Sequence, residues 1–228
     1  KENPLVKKVT IRFLGKKYIL AKKGSRNPFV LIGLDLSLAS KNYLMKISVE
    51  KTDGKSEDIW EKIPVLRKEF PLKKLWVKEE YIKPPPEARE RIQREAELVE
   101  AVYSFPSPEW LAEEKFILPF SADVEPNFGE RRLYNNEFHS IHSGVDIEAP
   151  FGSPILASNS GKVVLTSDLY FAGKTVIIDH GLGLFSFYCH FSEIKVKRGD
   201  LVRKGDTIGL AGATGRVTGP HLHWGVKI

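Results

Sequence analysis

Three consecutive prolines, Pro84-Pro85-Pro86, cut the chain at a point that no strand can cross. Before them the pattern is one of short strands. Val9-Thr10-Ile11-Arg12-Phe13 alternates, as do the stretches 17–20, 29–36 and 43–50. Gly15, Gly24 and Asp53-Gly54 punctuate them, and the last is a hairpin signal. This spacing predicts a small immunoglobulin-like β-sandwich over residues 1–83. After the prolines the period changes. Ile92, Ala96, Val99 and Tyr103 recur at helical spacing among Glu and Arg, which predicts a helix from Glu87 to about Ser104. Phe105-Pro106-Ser107-Pro108 ends it. Residues 84–115 therefore read as a helical connector packed on one or both neighbours. From Phe116 onward turns become dense, and strands are expected over 161–165, 174–178, 184–190 and 222–228. The reading is an all-β chain with a second β-domain over 116–228.

Hydrophobic content of 42% and charged content of 28% fit a folded globular chain, and no apolar run approaches the ~20 residues that span a bilayer. The net charge of +6 is uneven: +10 over residues 1–83, −4 over 84–115 and zero over 116–228. The scattered lysines of the front half read first as a solvated face, and second as a surface for anionic envelope polymer or lipid. No nucleic-acid-binding signature is present. Cys189 is the only cysteine, so no intrachain disulfide forms. Gln93 and Met45 are also alone of their kind beside abundant Lys and Glu, which hints at a thermophilic source. A leader or anchor removed ahead of Lys1, or a trimmed chain, is expected.

All six histidines fall between positions 139 and 223. His142-Ser143-Gly144-Val145-Asp146 holds Gly144 and is followed by Pro150, so extended geometry is expected, with His142 and Asp146 on one side. Gly144 between them leaves room for an ion. His221-Leu222-His223 on a strand likewise puts two imidazoles on one face and Leu222 and Trp224 on the other. In Tyr188-Cys189-His190, parity pairs Tyr188 with His190 and turns Cys189 away, a core residue rather than a nucleophile. A His–His–carboxylate set suits catalytic zinc, with the fourth position left for water. Three ligands then leave two histidines for acid–base or charge-stabilising work. Parity does not choose between His221 and His223 as the ligand, and Glu148 and Glu193 fit no role by spacing.

Residues 118–228 resemble the lysostaphin-type or LytM-type zinc endopeptidases of bacterial peptidoglycan. The likeness runs through Phe128-Gly129-Glu130-Arg131, the stretch from His142 to Pro154, Asp179-His180-Gly181, Tyr188-Cys189-His190, Gly205-Asp206, Gly209, and Thr218-Gly219-Pro220-His221-Leu222-His223. The resemblance implies one zinc held by His142, Asp146 and His223. It makes His190 and His221 the catalytic histidines that orient or deprotonate water and stabilise the oxyanion. His139 and His180 would be structural. It also implies a bent antiparallel sheet with a groove and hydrolysis of peptide cross-links by a zinc-activated water. A basic, Lys-rich chain with an added β-domain points to export to the periplasm or cell envelope more than to secretion. Relatives usually continue beyond the position of Ile228. Residues 1–83 resemble accessory β-domains and are expected to be dispensable for the chemistry, with upstream segments partly covering the groove. Two readings compete. Some relatives lack zinc ligands and act as scaffolds that activate other wall hydrolases, but here every expected position is filled. A zinc-storing or metal-sensing role fits poorly with an open coordination position.

Overall fold

Alternating residues before the prolines do form strands: β1 (Val6–Phe13), β2 (Lys16–Ile19), β3 (Asn42–Lys51) and β4 (Ser56–Pro64). The computed structural model describes residues 6–20, 28–113, 115–122, 124 and 126–228, and the side chains of Ile19, Phe138 and His139 lie outside that description. The four strands make one antiparallel sheet in the order β2-β1-β3-β4, with the β3–β4 hairpin turning at Asp53-Gly54 as the sequence predicts. The described residues supply one sheet here, where the expected sandwich has two. The stretch 29–36 is not a strand of this sheet. Asp35 instead closes a turn, its carboxylate accepting from the Ser37 amide at 2.7 Å.

The chain divides into two compact units, Lys1–Glu69 and Phe70–Ile228, so the division falls ahead of the prolines rather than at them. Pairing explains the difference. Strand β5 (Leu72–Leu75) lies parallel to β6 (Arg131–Tyr134), which pairs in turn with β7 (Phe138–Ile141). The helix α1 (Pro86–Ser104) begins on a proline, tolerated where the amide has no intrahelical partner. It lays Val99, Val102 and Tyr103 on Leu165, Ile177 and Phe185. The expected connector thus belongs wholly to the second unit. So do the residues after it: Ser107 N–H donates to Asp179 at 2.7 Å and Leu111 N–H to the His180 carbonyl at 2.9 Å. Gly181 is needed there, because a Cβ would lie 1.8 Å from the Glu109 carbonyl oxygen.

The remaining strands are β8 (Val145–Ile147), β9 (Pro154–Leu156), β10 (Gly161–Leu169), β11 (Gly173–Asp179), β12 (Phe185–Phe191), β13 (Glu193–Ile194), β14 (Leu201–Val202), β15 (Thr207–Leu210) and β16 (Leu222–Lys227). Six of them form an antiparallel sheet, β14-β10-β11-β12-β16-β8, and three form another, β13-β15-β9. Apolar residues at alternate positions, among them Val176, Ile178, Tyr188 and Leu222, bury one face of the large sheet against Ile155 and Ile208 of the small one. Each such side chain contributes ~1.5–3 kcal/mol by leaving water. The opposite face carries α1 at one end. Phe187 packs beside the helix cluster and lies 5.4 Å, centroid to centroid, from the His223 ring at the other end.

Candidate metal centre

Register builds the site. In the β16–β8 ladder His223 stands opposite Asp146, and in the β12–β16 ladder Cys189 stands opposite His223. His142 enters just before β8. Its Nε2 lies 3.0 Å from Asp146 Oδ1 and 2.8 Å from His223 Nδ1, and His223 Nδ1 lies 3.0 Å from the same oxygen. These three residues are the only group of metal-competent side chains found among the described residues. Gly144 makes the approach possible, for a different reason than its sequence position suggests. A Cβ there would fall 2.4 Å from the Trp224 carbonyl oxygen and 2.9 Å from His223 Cε1, so the space is taken by the partner strand and its ring.

Backbone carbonyls set the tautomers. A carbonyl only accepts, so the ring nitrogen facing it carries the proton. His142 Nδ1–H donates to the Asn127 carbonyl at 2.9 Å, His190 Nδ1–H to Thr214 at 2.8 Å and His221 Nδ1–H to Gly219 at 2.9 Å. The Nε2 lone pairs of all three imidazoles are left for the site. The rings of His190 and His221 lie 4.8 Å apart, and His221 Nε2 stands 3.7 Å from Asp146 Oδ1. Of the H-x-H pair, His223 is therefore the closer to the carboxylate.

His190 departs from the expected parity. Its backbone is left-handed, φ 67°, and the β11–β12 register shifts beside it. Alternation fails at that point. Tyr188 points into the core, Cys189 takes the site face opposite His223, and His190 swings to the same side as His221 and His223. A non-glycine residue at positive φ stores strain of ~1–3 kcal/mol, typical of functional positions. Cys189 is buried, and burial pushes its thiol up to about 12, which leaves it inert as a nucleophile.

Burial opposes the Asp146 charge, but hydrogen bonding with His142 and His223 and from Arg132 holds the carboxyl far below the usual carboxylate range. Arg132 Nη2 donates to Asp146 Oδ2 at 2.6 Å while its Nε donates to buried Glu130 at 2.9 Å. Asn127 is buried and touches two members of the group. Its Oδ1 accepts from the Asp146 amide at 3.1 Å, its Nδ2 donates to Asp146 Oδ2 at 3.3 Å, and its carbonyl holds His142. Burial and the neighbouring His221 push His190 down to about 3, and burial lowers His223 as well.

The sequence reading reached all five central residues and missed this support. Asn127 directly precedes the quoted Phe128-Gly129-Glu130-Arg131 stretch, yet no spacing rule ties it to His142. His180 stands apart in the core, its Nδ1–H donating to the Ser160 carbonyl and its Nε2 accepting from Ser186. Glu148 and Glu193 lie outside the group, and the His139 side chain lies outside the described residues. Loop 214–219, which orients His190 and His221, is fastened from upstream. Tyr81 donates to the Gly215 carbonyl at 2.9 Å, and the Arg216 guanidinium sits 4.5 Å from the Tyr134 ring and 4.8 Å from the Phe171 ring.

Residues 140–228 match the profile of Peptidase family M23, a span holding all five central residues. Among curated proteins, the peptidoglycan DD-endopeptidase ShyA of Vibrio cholerae is 44% identical over 102 residues, 44% of this chain and 24% of that protein. The DD-carboxypeptidase/endopeptidase Mpg of Neisseria meningitidis is 40% identical over 88 residues, 39% of this chain and 20% of that protein. The chain thus spans about a quarter or less of these relatives. A solved structure described as a putative peptidase M23 from Pseudomonas aeruginosa superposes with a TM-score of 0.74 at 29% identity, covering 98% of this chain and 84% of that one.

Proposed function

We propose, from the premise that residues 140–228 form a domain belonging to peptidase family M23, that this chain is a zinc-dependent endopeptidase of bacterial peptidoglycan. The observation that carries the reading is the convergence of His142 Nε2, Asp146 Oδ1 and His223 Nδ1 within 3.0 Å of one another, with two further imidazoles beside them. Two imidazoles and one carboxylate are a donor set that zinc takes, with ligand atoms ~3.3 Å apart around a tetrahedral ion. The observed separations need only a few tenths of an ångström of relaxation to fit.

His142, Asp146 and His223 would hold the metal, one ion per chain. Bound there, zinc supplies a Lewis acid that makes water nucleophilic near neutral pH. The rest belongs to the protein. Arg132 and Asn127 fix the carboxylate, so its second oxygen stays turned away and Oδ1 faces the imidazoles. Thr214 and Gly219 hold the His190 and His221 rings with Nε2 inward, where the neutral ring accepts a proton from the nucleophile and a ring protonated on Nε2 as well as Nδ1 donates a hydrogen bond to the developing oxyanion. His190 is neutral at physiological pH, which leaves that lone pair available. ShyA is a peptidoglycan DD-endopeptidase and Mpg a DD-carboxypeptidase/endopeptidase, and on that likeness the substrate class is peptide cross-links of the wall; a substrate in the wall would put the site of action in the periplasm or envelope.

The scaffold reading makes the opposite statement about turnover. Zinc-loaded chain should solubilise insoluble peptidoglycan, and a chelator or the His223→Ala substitution should stop it. A folded, zinc-loaded chain that leaves the wall intact would favour the scaffold.

A further inference from the structure

The first unit carries a face that the zinc centre does not use. In its sheet, Lys17 pairs with Arg12, Arg12 with Lys46, and Lys46 with Trp60, so these four residues form one row across all four strands. Lys62 and Leu44 are paired next to that row, and Lys8 follows along β1 on the same face. Contacts confirm the side. The Lys46 ammonium lies 5.5 Å from the Trp60 ring and 2.7 Å from Asp58, whose other oxygen accepts from Ser48 at 2.7 Å. The opposite face collects Val9, Ile11 and Phe13 with Met45, Ile47 and Val49, and buries Ile11 and Phe13. On the polar face five cations (Lys8, Arg12, Lys17, Lys46 and Lys62) meet two acids, Glu50 and Asp58. Trp60 and Leu44 remain 57% exposed there.

A rigid sheet with strands ~4.8 Å apart spreads that row over roughly 14 Å, several sugar rings long. An indole left open beside cations suits a ligand with flat apolar faces and negative charge. We infer that this face binds the glycan strand of peptidoglycan, sugar stacked on Trp60 and carboxylates met by Arg12, Lys17 and Lys62. The choice of glycan rests on the wall-peptidase reading above; the cationic, aromatic character of the face does not. Two exposed apolar side chains are too few to anchor a bilayer, which disfavours a lipid surface.

The test is co-sedimentation of the full chain, stripped of metal so that nothing is cut, with purified peptidoglycan and with glycan freed of its peptides. Wild type should be retained by both, and retention should weaken as salt rises. Trp60→Ala should bind about tenfold more weakly, the effect of losing the burial of one large apolar side chain against the ligand. The pair Arg12→Glu with Lys62→Glu should abolish retention, while Lys55→Glu at the hairpin tip should not. All variants should melt as wild type does and, reloaded with zinc, cleave small soluble cross-linked peptides at the wild-type rate. Equal retention of the variants, no retention of wild type, or a preference for phosphatidylglycerol vesicles would overturn the inference. A zinc-loaded wild type that cuts no soluble peptide yet is retained by glycan would count against the peptidase reading alone.

Discussion

His223 and His221 sit two residues apart, and their surroundings differ in a way that fits the different work proposed for them. His223 shares the Asp146 oxygen with His142 at 3.0 Å, whereas His221 stands 3.7 Å from it and is held by Gly219. Removing a ligand should remove the metal, so His142→Ala and His223→Ala are expected to lose zinc and turnover together in a chelator-competition titration. His190→Ala and His221→Ala should keep near-stoichiometric zinc while turnover falls by about 10²–10⁴-fold. If His221→Ala strips the metal and His223→Ala keeps it, the assignment reverses. The supporting residues make a second expectation. Asn127→Ala and Arg132→Gln should each weaken zinc binding by ~10–100-fold, as loss of an outer hydrogen bond to a ligand does. Gly144→Ala should lose zinc too, since its Cβ would strike the Trp224 carbonyl. Unchanged affinity in all three would show that the ligands hold their geometry unaided. The shared faces of the candidate ligands were legible because each motif carries its residues at even spacing, whereas the choice of His223 over His221 came only from the family resemblance. Asn127 and Arg132 were not, because long-range hydrogen bonds leave no period in a sequence.

Elements were read well where one period decided them. The helix ends at Ser104 as its apolar spacing and the prolines after it require, and the Asp53-Gly54 hairpin turns where glycine permits. Two elements were misread for identifiable reasons. Parity failed at His190 because a positive φ and a register shift break alternation, which no one-dimensional pattern announces. Residues 1–83 read as an independent domain and 84–115 as a connector because proline and charge mark a boundary, while parallel pairing of β5 with β6 and the amide contacts to Asp179 and His180 are non-local. On the sequence reading alone, activity would survive removal of residues 1–115, the expected accessory domain with its connector. The structure predicts otherwise: a chain starting near 116 should be poorly folded by circular dichroism, and one starting at Phe70 should retain its cooperative melt. The buried His180 adds a pH dependence. Burial lowers its pKa from the ordinary 6.5, so the unfolded chain binds a proton more readily than the folded one. Stability is whole above 6.5 and falls as pH drops below it. His180→Gln should melt lower at pH 7 but change less than wild type between pH 7 and pH 5. Parallel decline of the two would mean that His180 does not contribute.

At the scale of the whole molecule, the proposed glycan face and the proposed zinc centre fall in different compact units. Residues 70–228 build a zinc-competent centre on a sheet face bounded by α1, and loop 214–219 is fastened by Tyr81. Residues 1–69 contain no histidine and offer a cationic sheet face. Shortening the chain to start at Phe70 should thus lower the rate on insoluble wall while sparing soluble cross-linked peptides; an equal loss on both would tie the first unit to the chemistry. The central claim is hydrolysis at the His142–Asp146–His223 centre, and the most direct measurement is mass analysis of purified, cross-linked peptidoglycan dimers after incubation with zinc-loaded chain. The account predicts monomers whose summed mass exceeds the dimer by one water, with no product from His223→Ala or after chelation. Intact dimers in the presence of folded, zinc-loaded wild type would contradict it.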